Sequence, residues 1–477
     1  MTSPDSKPPI TVAVLGAGPG GYAAAFYAAD LGMQVTLIGE EPNPGGVCLY
    51  RGCIPSKALL HVAKVIDEAR HASDWGVTFG EPSVNVDKLR AYKDRVVERL
   101  TGGTGQVAKL RKVTYIQGRA AIVDPKTLSV AKTGGGEETV AVDYVILATG
   151  SLPTRIPSLS LDSPRVLDST GALDLPEVPG SMLVIGGGYI GLELGSVYAT
   201  LGTKVSVVEM TPGLLPGADR DLVRILNQRA EKVFEKIYLS TKVTSMAEAG
   251  KDGVTVTFEG EGAPKEQTFD YVLVSIGRRP NAKIDGLQKT RVKVDDKGFI
   301  ETDGQRRTAE PSMFAIGDVA GEPMLAHKAS HEARVAVEAI AGHKAVFEPA
   351  AIPAVVFTDP EIAWAGVTEA EAEKQGLKVE VARFPWGASG RAIAIDRVDG
   401  MTKLIIDPKT ERVLGVGIVG SGAGELISEG VLAIEMGATA SDVKLTIHPH
   451  PTLGETVMEA AEQFFGQATH VFKPKRK

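Results

Sequence analysis

At 477 residues the chain is long enough for about three domains, and its 43% hydrophobic and 23% charged content is that of an ordinary globular protein. A net charge of −7 gives no basic field for nucleic acid or an anionic membrane surface. Gly, Pro or charge interrupts every apolar stretch before the roughly 20 residues that span a bilayer, and the polar start from Met1 to Pro9 lacks the apolar core of a signal peptide.

Ile10 to Leu15 is a short apolar, β-branched run that predicts a buried strand. It leads into Gly16-Ala17-Gly18-Pro19-Gly20-Gly21 and then the alanine-rich helical pattern Tyr22 to Leu31. Gly32 stops that helix, and Gln34 to Ile38 predicts a second strand. Strand, glycine turn, helix and strand in this order make a dinucleotide-binding unit. Gly16 makes the tight turn, Gly18 lets a pyrophosphate approach the backbone, and Gly21 lets helix and strand pack closely. The pyrophosphate charge falls on the helix N-terminus. Where an acid would take the ribose hydroxyls the chain has Gly39, with Glu40 one step later.

The next stretch, Gly45 to Lys57, holds both cysteines of the chain, Cys48 and Cys53. Thiols this close are a coincidence, half of a metal site or a redox couple. No second pair exists to complete four metal ligands. Without an export signal the expected setting is a reducing cytoplasm, where a disulfide is more often catalytic than structural. Five residues of regular helix advance about 7.5 Å, whereas a disulfide wants its Cα atoms within about 7 Å. If the two sulfurs bond, the helix between them must be distorted. Gly52 supplies the freedom, and Pro55 suits the first turn of a helix starting near it.

Ala58 to Ala72 and Val86 to Lys112 mix charged and apolar residues at helical spacing. Tyr115 to Val130 and Thr139 to Leu147 predict hairpins around Gly134-Gly135-Gly136. The strand Tyr144 to Leu147 ends in Ala148-Thr149-Gly150, and Pro153 and Pro157 open a linker. The dinucleotide unit then returns: strand Met182 to Ile185, turn Gly186-Gly187-Gly188-Tyr189-Ile190-Gly191, helix Leu192 to Leu201, strand Lys204 to Val208. Glu209 falls where an acid takes the ribose hydroxyls. No arginine follows at Met210 or Thr211 to receive a 2′-phosphate, which favours NAD over NADP. Two such sites beside a sulfur pair call for two different cofactors that exchange electrons with each other and with the dithiol; a flavin dinucleotide and a nicotinamide fit.

Val254 to Phe258 and Asp270 to Ile276 repeat the strand pattern and end at Gly277-Arg278-Arg279-Pro280-Asn281, read as a boundary. Pro311 to Asp318 predicts a strand running into an acid at a cofactor edge. From about Ile352 strands (Lys403 to Ile406, Leu414 to Val419) mix with helices (Glu425 to Met436, Thr456 to Phe465), with no nucleotide turn. The basic tail Lys473 to Lys477 predicts a solvated end. Near it, Pro449 and Pro451 bracket His450, and Glu455 starts the following helix. That arrangement can hold a carboxylate on one imidazole nitrogen and leave the other as a base, which dithiol chemistry needs because thiolate is the attacking species. Glu455 can equally be a helix N-terminal charge without a catalytic duty.

Cys48-x4-Cys53-Ile54-Pro55-Ser56-Lys57, Thr149-Gly150, Gly188-Tyr189-Ile190-Gly191-Leu192-Glu193, Gly317-Asp318 and His450-Pro451-Thr452-x-x-Glu455 follow one another in this order. In this the chain resembles the FAD-dependent pyridine nucleotide–disulfide oxidoreductases, over nearly its whole length from Ile10. The likeness is strongest to members that reoxidise the lipoyl groups of 2-oxo acid dehydrogenase or glycine cleavage complexes, so it implies lipoyl domains as partners. It implies an α/β fold with two Rossmann-like domains, for FAD and NAD, and a C-terminal mixed α/β dimerisation domain. The expected division is FAD-binding at 1–152 and 281–350, NAD-binding at 153–280 and interface at 351–477. A homodimer follows, in which His450 and Glu455 reach the disulfide of the partner subunit.

Carried across by position, the resemblance makes Cys48 the outer sulfur that meets substrate and Cys53 the inner sulfur beside the flavin. It sets Lys57 and Glu193 beside the flavin ring and Asp318 at the ribityl chain. Met324, Leu325, Ala326 and His327 fall at the pyrimidine end, Ala120 at the adenine, and Glu40, Gly46, Thr149, Gly150 and Ser151 elsewhere along the dinucleotide. Gly186, Gly188, Tyr189, Ile190, Gly191, Glu209, Val243 and Gly277 fall at NAD. The chain departs from the pattern at Gly39 and at Tyr50-Arg51. Reductases of glutathione type are rivals, but they want NADP, against Glu209. Mercuric-type reductases need a C-terminal thiol pair, and no cysteine follows Cys53. A non-catalytic flavoprotein subunit is a third alternative.

Overall fold

Thr11–Leu15 is a parallel strand flanked by Gln34–Gly39 on one side and Tyr144–Leu147 on the other. Val12, Ala13 and Val14 are fully buried, which is why the run is continuously apolar: a parallel strand covered on both faces has no wet side to alternate with. A computed structural model describes residues 8–472. The basic tail Lys473–Lys477 and the first seven residues of the polar start lie outside the described residues.

The first sheet has seven strands, in the order Met313–Ala315, Tyr144–Leu147, Thr11–Leu15, Gln34–Gly39, Thr114–Asp124, Thr127–Lys132 and Glu137–Ala141. The first five are parallel, and the last three form an antiparallel meander whose final turn is Gly134 to Gly136. Helix Pro19–Asp30 packs against helix Ala326–Ile340 through small residues, Ala24, Ala25 and Ala28 meeting Ala333 and Ala336. The successive strands from Thr11–Leu15 run outward in one direction, and Tyr144–Leu147 begins the other. The gap between them, at the carboxyl ends of the strands, is the crevice such sheets offer a ligand.

The second sheet is all parallel, in the order Lys236–Tyr238, Lys204–Val208, Ser181–Ile185, Tyr271–Val274 and Val166–Leu167. A three-stranded antiparallel sheet (Lys242–Glu248, Val254–Glu259, Glu266–Phe269) accompanies it. The third large sheet is antiparallel, with order Ala354–Val356, Glu361–Gly366, Val413–Gly420, Met401–Ile406 and Glu380–Pro385. Helices Ala423–Glu435 and Glu455–Phe464 cover it. The two predicted strands there run Met401–Ile406 and Val413–Gly420, a little longer than the sequence pattern indicated.

A buried ammonium joins the second and third units. Lys403 Nζ lies 2.7 Å from carboxylate oxygens of Asp219, Asp221 and Glu369, and Arg383 closes the network on Asp221 and Glu369. Among the described residues no helix is long and apolar enough to cross a membrane.

Candidate active site

The cysteine stretch is two helices, Gly46–Arg51 and Cys53–His71, interrupted at Gly52. A Cβ on Gly52 would stand 2.9 Å from the Val47 carbonyl, so the break folds back on the preceding turn. This is the distortion that a bond between the two sulfurs would need. Both sulfurs are free thiols here and hydrogen-bond to each other. Cys48 donates to Cys53, and that hydrogen bond, against the cost of burial and with Lys57 assisting, lowers Cys53 to about 7. The same hydrogen bond and burial push Cys48 up. The pair therefore divides its proton in a fixed sense: a thiolate on Cys53 and a thiol on Cys48.

Both sulfurs line a cleft of about 670 Å³ at the carboxyl ends of the first sheet's strands. Its floor is the Gly16 to Gly20 turn. Gly16 has φ +101° and its missing Cβ would overlap the Ala148 carbonyl; on Gly21 a Cβ would meet Gly16 O at 1.7 Å. On Gly18 it would touch nothing, because that position opens into the cleft. Helix Pro19–Asp30 begins there with no side-chain cap and no acidic residue in its first turn, leaving its amides to an anion. Gly46 completes the floor: a Cβ on it would lie 2.5 Å from the Gly18 Cα. These are the features a diphosphate needs, and a flavin dinucleotide fits them. Gly39 leaves no room for the acid expected at its place, since a Cβ would sit 2.6 Å from the Ala17 Cβ and 2.8 Å from the Tyr115 hydroxyl. Glu40 lines the cleft instead, next to Glu41, which ion-pairs with Arg51. Tyr50 exchanges hydrogen bonds with the backbone of Asn43, so the departures at 50 and 51 brace the loop that carries the acids.

Lys57 Nζ lies 2.8 Å from Glu193 Oε2 and 4.4 Å above the Phe357 ring. Glu193 is only 3% exposed, and its other oxygen accepts from the Phe357 amide at 3.0 Å. Lys57, Ala120, Thr149, Gly150, Ser151, Tyr189, Ile190, Glu193, Asp318, Met324 and Ala326 all line the cleft. Sequence reasoning missed Arg278 and Asn281, read as a boundary. Arg278 Nε donates to Ser151 Oγ at 2.7 Å, and Ser151 donates to Asp318 at 2.5 Å. Asn281 holds the Thr149-Gly150 turn, its amide donating to the Gly150 carbonyl at 2.9 Å. Only Pro280 and the glycine at 277 marked that segment in the sequence, and they say turn, not site.

The second glycine turn repeats the first. Gly186 has φ +109° and would clash with the Ser275 carbonyl, Gly191 would meet Gly186 O at 2.3 Å, and Gly188 is open. Helix Tyr189–Leu201 is likewise uncapped. Glu209 accepts from the Gly187 and Thr211 amides at 2.7 and 2.8 Å, which fixes its carboxylate beside the turn. Gly277 is exposed, beyond strand Tyr271–Val274. At three expected contacts the side chain is engaged elsewhere, which leaves the backbone as the part that could face a cofactor. Val243 is 5% exposed and packs in the core with Val208 and Phe258, because its strand turns that face inward. The His327 ring is turned to the Pro353 carbonyl at 2.8 Å, and Leu325 is the residue that caps helix Ala326–Ile340; neither lines the cleft.

His450 and Glu455 do not line the cleft of their own chain either. The His450 ring is 72% exposed, with Nδ1 2.9 Å from Glu455 Oε1, leaving Nε2 to solvent. Burial would raise Glu455, but the Thr452 amide and His450 outweigh it and hold the carboxyl below its ordinary value. His448 anchors the loop, bridging Glu429 and the Thr446 carbonyl. Around it Leu432, Met436, Leu445 and Ile447 are exposed, Ile447 by 94%.

The pattern of one family, described as pyridine nucleotide-disulphide oxidoreductase, matches residues 10–333, and that of its dimerisation domain matches residues 352–461. The chain is 52% identical over 466 residues to the dihydrolipoyl dehydrogenase of Haemophilus influenzae, covering 98% of this chain and 97% of that protein. It is 44% identical over 460 residues to that of Bacillus subtilis, covering 96% and 97%. Among solved structures, LpdA from Mycobacterium tuberculosis superposes with a TM-score of 0.87 at 25% identity, over 95% of this chain and 99% of that one.

Proposed function

This chain belongs to the pyridine nucleotide-disulphide oxidoreductase family, and from that premise we propose that it oxidises dihydrolipoamide with NAD⁺ through FAD and a Cys48–Cys53 disulfide. The observation that carries the reading is the sulfur pair in the cleft wall, its inner member lowered to about 7 by its neighbour's hydrogen bond, against burial, and by Lys57. That asymmetry is what an exchange disulfide needs: one sulfur that leaves readily and one that takes the attack.

In the oxidised enzyme His450, oriented by Glu455, takes the proton of one substrate thiol. The substrate thiolate attacks Cys48 Sγ, the Cys48–Cys53 bond breaks, and Cys53 departs as thiolate. The second substrate thiol attacks the substrate sulfur bound to Cys48 and closes the lipoamide ring; His450 gives its proton to the departing Cys48 and takes the proton of the second thiol. Two electrons now rest on the dithiol. FAD, when bound, supplies the relay that passes them to NAD⁺, a chemistry side chains do not have. The glycine turn at 16–21 takes its diphosphate, Asp318 with Ser151 its ribityl chain, and Met324 and Ala326 its pyrimidine end. The Gly186 to Gly191 turn and Glu209 take NAD⁺, the carboxylate repelling a 2′-phosphate.

On this reading residues 1–152 and 281–350 hold FAD, 153–280 hold NAD⁺, and 351–477 form the interface. The family's dimerisation domain and the exposed Leu432, Met436, Leu445 and Ile447 support a homodimer. An exposed His450 outside its own cleft supports a base delivered to the partner's sulfurs. Lipoyl domains of 2-oxo acid dehydrogenase or glycine cleavage complexes are the partners, and the cytoplasm is the setting. Steady-state rates with dihydrolipoamide and NAD⁺, measured beside glutathione disulfide and NADPH, test the assignment. Faster turnover of the second pair would overturn it.

A further inference from the structure

A second charged group lies in the interior, and the thiol chemistry does not use it. Glu332 is 0% and Lys328 4% exposed, one turn apart on helix Ala326–Ile340, with Arg306 reaching them from a neighbouring loop. Charges are seldom buried so completely unless every lone pair and proton has a partner, and here the partners are informative. One oxygen of Glu332 accepts from the Gly317 amide at 2.6 Å. The other lies 3.0 Å from both Arg306 Nη1 and Lys328 Nζ. Lys328 donates in turn to the Gly321 carbonyl at 3.0 Å and the Gly317 carbonyl at 3.4 Å. A single ion pair thus grips Gly317 by its N–H and its C=O, and holds the far end of the same turn at Gly321.

Gly317 has φ +75°, and a Cβ there would come within 3.0 Å of the Ala329 Cβ, so the turn lies tight on the helix. The next residue is Asp318. Its carboxylate is set against Ser151 and points into the cleft, while Met324 and Ala326 line the same cleft from the end of the same segment. We propose that Lys328 and Glu332 are positioning residues for the flavin dinucleotide: the pair locks the Gly317 to Gly321 turn onto helix Ala326–Ile340, so that Asp318 and the helix start meet the cofactor in fixed register. The inference rests on reading Asp318 as a cofactor contact.

The test is a double-mutant cycle read as FAD affinity of the folded apoprotein, by titration of flavin fluorescence, with NADH affinity as the control. Glu332→Gln keeps the shape but removes the carboxylate between two cations. It should weaken FAD by about tenfold or more and leave NADH binding unchanged. Asp318→Asn should also weaken FAD, and adding Glu332→Gln to it should cost little more, because the glutamate acts through the aspartate. A purely structural glutamate would lower the apoprotein's melting temperature and leave FAD affinity alone; that result, or full multiplication of the two effects, overturns the proposal. If Asp318→Asn leaves FAD affinity unchanged, the reading of Asp318 fails and takes the inference with it. Should Glu332→Gln not fold, Lys328→Met carries the same cycle with the same outcomes, since it leaves Glu332 paired with Arg306.

Discussion

At the scale of single residues, the chemistry turns on where one proton sits. Cys53 is lowered to about 7 chiefly because Cys48 donates a hydrogen bond to its sulfur, and its ordinary value is 9.0. In the reduced protein Cys53 therefore gives up its proton before Cys48 does. The thiolate absorbance of the dithiol-reduced apoprotein should rise with a midpoint at about 7. In Cys48→Ala, which removes the donor, the midpoint should move upward; an unmoved midpoint would refute the coupling. Cys53→Ser should abolish dihydrolipoamide turnover and leave FAD bound, measured by flavin absorbance after gel filtration. His450→Gln should slow turnover by about a hundredfold or more at unchanged FAD content, the usual size of a lost general base. These residues were legible because each acts with a neighbour a few positions away. Arg278 was not, since its partner Ser151 lies 127 residues off in the chain and arginine in a turn carries no distinguishing pattern.

At the scale of elements, the glycine turns separate two jobs that one motif performs. Gly21 is required by packing, because a Cβ there strikes Gly16 O at 1.7 Å; a Cβ on Gly18 meets nothing, and on the proposed reading that glycine serves the ligand. Gly21→Ala should lower the stability of the apoprotein by about 1–3 kcal/mol, the cost of overpacking. Gly18→Ala should leave the apoprotein's melting temperature in place and weaken FAD. Equal effects of the two on the apoprotein would sink the distinction. Gly39 shows the limit of motif reading. The sequence marks a missing acid, and only the approach of Ala17 and Tyr115 explains that the strand end has no space for one. The cysteine helix is a similar case: a bond between Cys48 and Cys53 would need a break between them, and the structure puts one at Gly52, with the second helix starting at Cys53 itself.

At the scale of the whole molecule, Lys403 fastens the second sheet's unit to the C-terminal one. Lys403→Met strips the ammonium from three carboxylates and should cost about 3 kcal/mol in urea unfolding, at the lower end for a broken buried pair because Glu369 is partly exposed. The shared-site reading has its own test. Dimers mixed from Cys53→Ser and His450→Gln chains should regain activity, since one of their two sites combines an intact sulfur pair with an intact base. If cleft and base belonged to the same chain, neither site would work and no activity would return. The sequence by itself determined the two glycine turns, their strands and helices, the sulfur pair and the His450–Glu455 dyad, because strand burial, turn geometry and hydrogen bonds between near neighbours are all local in the chain. Tertiary structure alone decided which side chains share a cleft. It turned Val243 into the core and His327 toward Pro353, brought Arg278 to Ser151, and set a buried ion pair behind Asp318. Those outcomes depend on how separate units stack, and neither residue periodicity nor motif spacing encodes the distance between positions a hundred or more residues apart.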